Sequence, residues 1–380
     1  MTKTNSLGIY IHIPFCLKKC RYCDFISFDQ QSPSQWQEYG VELNKEIHAY
    51  GESLKGEYIV DTIFFGGGTP SLISPTIIKG IITQIGISFQ KESNPEITIE
   101  ANPGTISEEN LESYLEAGIN RLSIGMQSFD NALLMLLGRI HDANEARESY
   151  RLARRMGFKN ISLDLMFGIP TQSLQKWESS LMEAVELNPE HISFYGLSYE
   201  EGTPFDDARK CKELIPISED IDREMYRKGL DILLANGYEQ YEISNMAKPG
   251  YSCKHNLKYW SMEEYLGLGI GAHSFLKGKR LSNTGEWKRY FSTNKIKEEH
   301  VNSEYDNMSE YIFTGMRKTK GINFKNFKDS FGLDYFEYIG KREEQLFKYR
   351  DKGLLKVNAE GMYLTEKGID VSNMILADLM

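Results

Sequence analysis

The sequence predicts an α/β protein: an open partial (β/α)6 barrel followed by a small, mostly helical, winged-helix-like C-terminal domain. Three observations carry that expectation. Six stretches with the two-residue alternation of strands are separated by five stretches of helical periodicity, the pattern of a parallel sheet with helices outside it. Each strand is apolar on one face only, whereas a closed eight-stranded barrel fills its interior with Val, Ile and Leu. From about Asn307 the alternation stops, and helices with one hairpin take over. The expected division is residues 1–300 for the barrel with its extension and 301–380 for the terminal domain.

In chain order, GIYIHI (8–13) sets Ile9, Ile11 and Ile13 against Tyr10 and His12, and a cysteine-rich loop follows it. A helix is expected over about Ser34 to Tyr50, then the strand VDTIFF, ending in Gly66, Gly67, Gly68, Thr69 and Pro70. Further pairs are a helix from about Pro75, the strand EITIE (96–100), a helix from about Ser107, and NRLSIGM (120–126). A helix from about Ala143, NISLDLMF (160–167), a helix from about Leu174, and HISFYGLS (191–198) complete the series. With helices on the apolar faces, Tyr10, His12, Thr98, Glu100, Ser123 and Asp164 point inward. Buried carboxylates without partners cost several kcal/mol, so the interior is expected to be a polar cavity that holds a ligand, the alternative being that Glu100 and Asp164 are surface residues at strand ends.

A loop region is expected over residues 199–218, then a helix over about Glu219 to Ala235, a strand in YEQYEIS, and the segment SCKHNLKYW with His255, Tyr259 and Trp260. His273, in GLGIGAHSF, belongs to a Gly-rich turn and has two readings, a second ligand-facing residue or a buried donor, of which the buried donor is favoured. Beyond Asn307 come helices at Ser309–Lys318, Asn323–Phe331 and Tyr335–Lys352, the hairpin LLKVNAEGMYLT, and a last helix.

Composition narrows the function. The 380 residues carry 41% hydrophobic side chains, enough for a large core, and a net charge of −10, which disfavours a phosphate backbone as partner. From Val301 onward 12 Lys and Arg stand against 13 Asp and Glu, so nucleic acid is disfavoured there too. Five cysteines, three of them clustered, do not make a secreted disulfide framework, and the chain is expected in the reducing cytoplasm. The longest weakly polar run, LGLGIGAHSFL, is too short to cross a bilayer, so any membrane contact is expected to be peripheral, through partner proteins.

The chemistry starts in IHIPFCLKKCRYCDFISF (11–28), where Cys16, Cys20 and Cys23 make a CxxxCxxC run. Thiolates at this spacing suit an iron-sulfur cluster or zinc. Three nearby ligands fit a four-iron cluster with one iron left open, whereas a closed zinc site needs a fourth, for which His12, Asp24 and Cys253 are available. Gly66–Gly68 lack the GxxxxGK[ST] of a phosphate loop and are read as letting backbone approach a ligand. Glu100, at a strand end, is placed to accept from ribose hydroxyls. Cys211 and Cys253 read as ordinary thiols.

The cysteine run resembles the signature loop of the radical S-adenosylmethionine (SAM) enzymes. With FFGGGTPSL, IEANPGT, SIGMQSFD, LGRIH, SLDLMFGIP and HNLKYW in order, the whole chain resembles the oxygen-independent coproporphyrinogen III oxidase branch of that family, and within it the HemW-type heme chaperones. The resemblance implies that Cys16, Cys20 and Cys23 hold a [4Fe-4S] cluster. It implies further that Tyr22 packs on the adenine, that Tyr10, Gly67 and Glu100 contact the cluster-bound SAM, and that Gly68, Thr69, Gln127, Arg139 and Asp164 match a second SAM site of the oxidase. HNLKYW implies heme at His255, although a lone histidine beside aromatics reads otherwise as a packing residue. The oxidase has a further cysteine where this chain has Phe25, and a longer arm ahead of the loop than the fifteen residues before Cys16. Both departures favour a heme carrier that delivers to acceptor proteins over the rival reading, oxidative decarboxylation of coproporphyrinogen III, and no catalytic residue is assigned.

Overall fold

A computed structural model describes residues 5–292 and 295–380. Six parallel strands stand side by side in chain order: β1 (Asn5–Ile13), β2 (Tyr58–Gly67), β3 (Gln90–Ala101), β4 (Arg121–Gln127), β5 (Ile161–Phe167) and β6 (His191–Gly196). The helices between them are α1 (Pro33–Ser53), α2 (Pro75–Ser88), α3 (Glu108–Glu116), α4 (Asn131–Leu137), α5 (Ala143–Met156) and α6 (Leu174–Leu187). Their starts are written locally. Ser32 with Gln35, and Asp142 with Glu145, form capping boxes that satisfy the first free amides of α1 and α5.

The two faces of the strands divide as the alternation predicts. Ile9, Ile11, Ile63, Phe65, Ile99, Leu122, Ile124, Leu163 and Leu165 are wholly buried in one continuous core, joined by Ile78, Ile81 and Ile85 of α2. The polar members of the same strands face away from that core, and at the C-terminal ends of β2 to β6 they line a cavity.

The sheet is twice as wide as the alternation implied. Beyond α7 (Pro204–Lys210), which lies inside the expected loop, and α8 (Glu219–Ala235), β7 (Glu239–Glu242) and β8 (Asn245–Ala247) extend the β6 edge antiparallel. After α9 (Lys254–Trp260) the chain crosses back. There β9 (Tyr265–Leu268) pairs parallel with β1, and β10 (His273–Leu276), β11 (Lys279–Asn283) and β12 (Ile296–Val301) follow antiparallel, giving 12 strands.

The C-terminal segment has its own core, with Ile312, Phe327, Tyr335, Leu346 and Ile375 at its centre, and a three-stranded sheet of Ile322–Asn323, Leu355–Val357 and Gly361–Leu364. The helix expected over Tyr335–Lys352 is broken at Gly340, whose φ of +52° and ψ of −124° admit no side chain comfortably. Backbone bonds from Ile243 N to Arg317 O and from Thr319 N to Tyr241 O, both 3.1 Å, tie this segment to the barrel.

Candidate cofactor cavity and the aromatic cavity beside it

The loop after β1 is pinned on every side. Cys16 N donates to Phe28 O (3.0 Å) and Phe28 N to Pro14 O (2.7 Å), closing its base, while Arg21 N donates to Leu137 O at the end of α4. Gly68 N and Thr69 N donate back to Ile13 O and Phe15 O at 2.8 and 2.7 Å, so the glycine turn after β2 is stitched to the loop. Gly67 has φ of +113°, and a Cβ there would lie 2.6 Å from the His12 ring, so backbone freedom and close approach both require glycine.

This stitching places Cys16, Cys20 and Cys23 on one cavity of about 160 Å³ with Gly67, Gly68, Thr69, Glu100, Gln127, Arg139 and Asp164. Tyr22 lines it too, and packs its ring towards Leu133, Leu137 and Phe205. The residues named in advance for cluster and SAM, Tyr10 excepted, therefore meet in one place. Asn102, Gly125 and Tyr195 also line it and were not singled out in the sequence, although Asn102 stands two positions after Glu100 in IEANPGT.

A polar network holds the walls. Arg139 donates to Cys20 Sγ (3.5 Å), Asn102 Oδ1 (2.5 Å) and Gly125 O (2.8 Å), and its Nε is buried with no hydrogen-bond partner among the described residues. Asn102 Nδ2 donates to Thr69 Oγ1 (2.9 Å), which lies 3.7 Å from Cys16 Sγ. Tyr195 donates to Gln127 Oε1 (2.8 Å), and Gln127 itself takes a left-handed φ of +64°.

Two carboxylates face the cavity without a direct cation. Burial, then the neighbouring Asp164, raises Glu100 to about 8 against the pull of the Gly67 amide, which it accepts at 3.2 Å. Asp164 is also raised by burial, although Arg121 and the hydroxyls of Ser123, Ser193 and Ser162 pull the other way. Such a pair holds a proton or accepts donors from a ligand.

The donor set fits a cluster better than a single ion. Among the described residues no three His, Cys, Asp or Glu side chains converge as a mononuclear site requires, and the three thiols instead share the wall of one cavity. Of the fourth ligands open to zinc, His12 bonds Tyr10 Oη and Ile26 O through its two ring nitrogens, Cys253 lies 3.6 Å from Glu96, and Asp24 is exposed to solvent. Burial pushes the Cys16 thiol up and the Cys23 thiol to about 11, so a cationic iron cluster is the kind of group that would draw off their protons.

A second, wider cavity of about 540 Å³ adjoins the first, between β1, α9 and the added strands. Tyr10, Tyr259, Trp260 and Tyr265 line it, with Phe25 belonging to both cavities. Tyr10 is thus on its wall, although a Cβ at Gly66 would touch both Tyr10 and Glu100, so the ring stands at the border. His273 differs from expectation: it opens β10, is exposed, and lines this cavity.

His255 is placed otherwise than a ligand needs. It is buried, its Nδ1 bonds Thr62 Oγ1 and its Nε2 bonds Tyr259 Oη, both at 2.8 Å, and its ring stacks on Phe64 at 5.3 Å. Burial, with Lys258 nearby, lowers it to about 3, so it stays neutral.

Strand-end cysteines, a glycine turn and paired carboxylates at one end of an open α/β sheet define a radical SAM class of protein, and residues 10–184 match the model of the radical SAM superfamily. Residues 302–371 match that of the HemN C-terminal domain. The chain is 38% identical to the heme chaperone HemW of Bacillus subtilis, over 96% of this chain and 97% of the relative, and 34% identical to that of Lactococcus lactis, over 99% and 97%. It also shares its fold with coproporphyrinogen III oxidase (HemN) from Escherichia coli, a radical SAM enzyme, at a TM-score of 0.86 and 22% identity, covering 99% of this chain and 90% of that one. The chain belongs to the HemW heme chaperone family.

Proposed function

We propose that this protein is a heme carrier on a radical SAM scaffold: Cys16, Cys20 and Cys23 hold a [4Fe-4S] cluster, the polar cavity they line binds SAM, and heme is taken up for delivery to acceptor proteins. The observation that carries the reading is the meeting of three thiols, Glu100, Gln127, Arg139 and Asp164 on one cavity in a chain whose close relatives are named heme chaperones. When bound, the cluster supplies an electron to the SAM sulfonium. The chain's own residues do the rest. Thr69 and Arg139 donate towards Cys16 and Cys20, the Gly67 backbone lets a ligand approach closely, and Glu100 and Asp164 accept from its hydroxyl and amino groups.

Phe25, at the position of the oxidase's additional cysteine, supports carrier over decarboxylase. We place the protein in the cytoplasm, in keeping with five free cysteines, and assign contact with membranes to the acceptors, since no described helix is long and apolar enough to cross one. The test is anaerobic: the reconstituted protein is titrated with heme, and separately incubated with SAM, reductant and coproporphyrinogen III. Stoichiometric heme binding without porphyrinogen turnover is expected, and many turnovers to protoporphyrinogen would overturn the reading.

A further inference from the structure

Two histidines, His12 and His273, line the aromatic cavity and a third, His255, is bonded to its Tyr259, and the three differ in what their ring nitrogens can do. Both nitrogens of His12 are taken, by Tyr10 Oη at 3.0 Å and Ile26 O at 2.8 Å. Both nitrogens of His255 are taken, by Thr62 and Tyr259, and its ring is sealed beneath Phe64. His273 alone of the three is exposed and on the cavity wall, and its ring makes no hydrogen bond among the described residues.

The cavity's other features describe a ligand. At about 540 Å³ it falls in the range of sites for mid-sized organic ligands, and the aromatic residues Tyr259, Trp260 and Tyr265 line it. Phe25 and Ile26, 61% and 38% exposed, add an apolar mouth on the loop side. An exposed apolar rim around a pocket marks a binding site rather than ordinary surface. Arg280 closes the far wall, held by Glu310 at 2.6 Å and Tyr265 Oη at 3.1 Å. A flat apolar macrocycle with a metal that wants a neutral imidazole matches these walls.

We infer that heme binds in this aromatic cavity with His273 as its axial nitrogen ligand, and that His255 is a positioning residue. The inference rests on the heme-carrier reading. His255 acts through Tyr259: its Nε2 fixes the Tyr259 hydroxyl, four residues along α9, and so sets the ring that stands edge-on to Tyr265 at 4.6 Å. The HNLKYW segment then contributes to heme binding through its aromatics and not through an iron bond.

The cluster-reconstituted full chain is titrated anaerobically with hemin, as wild type, His273→Ala and His255→Ala, with the Soret band and affinity read together and thermal melts alongside. His273→Ala is expected to shift the Soret band and lower affinity about tenfold or more, the scale set by residues at a metal site, and added imidazole is expected to restore the wild-type spectrum. His255→Ala is expected to melt earlier but to give the wild-type Soret position in whatever heme it holds. A wild-type spectrum and affinity in His273→Ala, or a lost axial signature confined to His255→Ala, overturns the assignment while leaving the carrier reading intact. No heme binding by the wild type overturns both.

Discussion

The two cavities that meet at Phe25 are built on opposite principles. The one under the cysteine loop is small and polar, its side chains braced by one another: Arg139 alone spans Cys20, Asn102 and Gly125. The other is three times larger, open and aromatic, and its one exposed imidazole has no hydrogen-bond partner among the described residues. A braced polar site costs little to reorganise around a resident group, whereas an open apolar one allows a ligand to enter and leave. The pairing suits a protein that keeps one cofactor and passes on another.

The sharpest way to break this division is at the cysteines. Cys16→Ala, Cys20→Ala and Cys23→Ala should each abolish stable cluster binding, measured as iron and sulfide per chain, while circular dichroism keeps the barrel, whose core contains none of the three cysteines. Wild-type iron in any of the three would remove that residue from the ligand set.

Next in size is Gly67→Val. Its left-handed φ and the 2.6 Å approach to His12 make any side chain strained there, by about 1 to 2 kcal/mol from backbone alone, and a branched one pushes the glycine turn off the loop it is stitched to. SAM binding by calorimetry should vanish, whereas heme affinity should stay within a few fold. Equal loss of both ligands would mean that the cavities are one site.

How much of this contrast could be read in the sequence follows the range over which each feature is determined. The six strands and their inward polar residues depend on alternation within a few residues, so Glu100 and Asp164 were legible. The glycine turn and cysteine loop were legible as motifs. The strands β9 to β12 were not: they are four to six residues long, and β9 finds its partner β1 some 250 positions away, as Gly8 to Tyr265 shows. For the same reason the histidines could not be told apart. The burial of His255 is decided by Thr62 and Phe64 on β2, and the exposure of His273 by where the added strands end.

Glu100 sharpens the polar half. Above about pH 8, where the carboxyl is ionised, Glu100→Ala should weaken SAM binding by about 1.5 to 3 kcal/mol, the range for a hydrogen bond to a charged group, and leave heme affinity unchanged. The carboxyl also gives the apoprotein a pH signature. Its folded value is about 8 against an ordinary 4.5, so between those values the folded chain keeps a proton that the unfolded chain releases. The stabilisation is full below about pH 4.5 and is lost as pH rises towards 8. Urea melts of wild type and Glu100→Gln across that window should show the wild type losing stability on the alkaline side relative to the variant, and parallel curves would place the carboxyl in contact with water.

The smallest expected effect falls on the residue the two cavities share. Phe25 is 61% exposed, so its ring contributes little to the fold, and its removal should register mainly in ligands. In the proposed division SAM is held by buried polar groups, and loss of an apolar ring at the rim should leave its affinity within about twofold. The same proposal holds heme by apolar faces, and losing part of one ring's contact area should cost about 1 kcal/mol, near fivefold in affinity. Phe25→Leu should recover most of that difference and Phe25→Ser none, because the contribution is burial and not shape. Titrations of the cluster-reconstituted variants with each ligand read the split directly. A Phe25→Ala protein that loses SAM more than heme would place the ring over the polar cavity, and the border between the two sites would have to be redrawn on the other side of the loop.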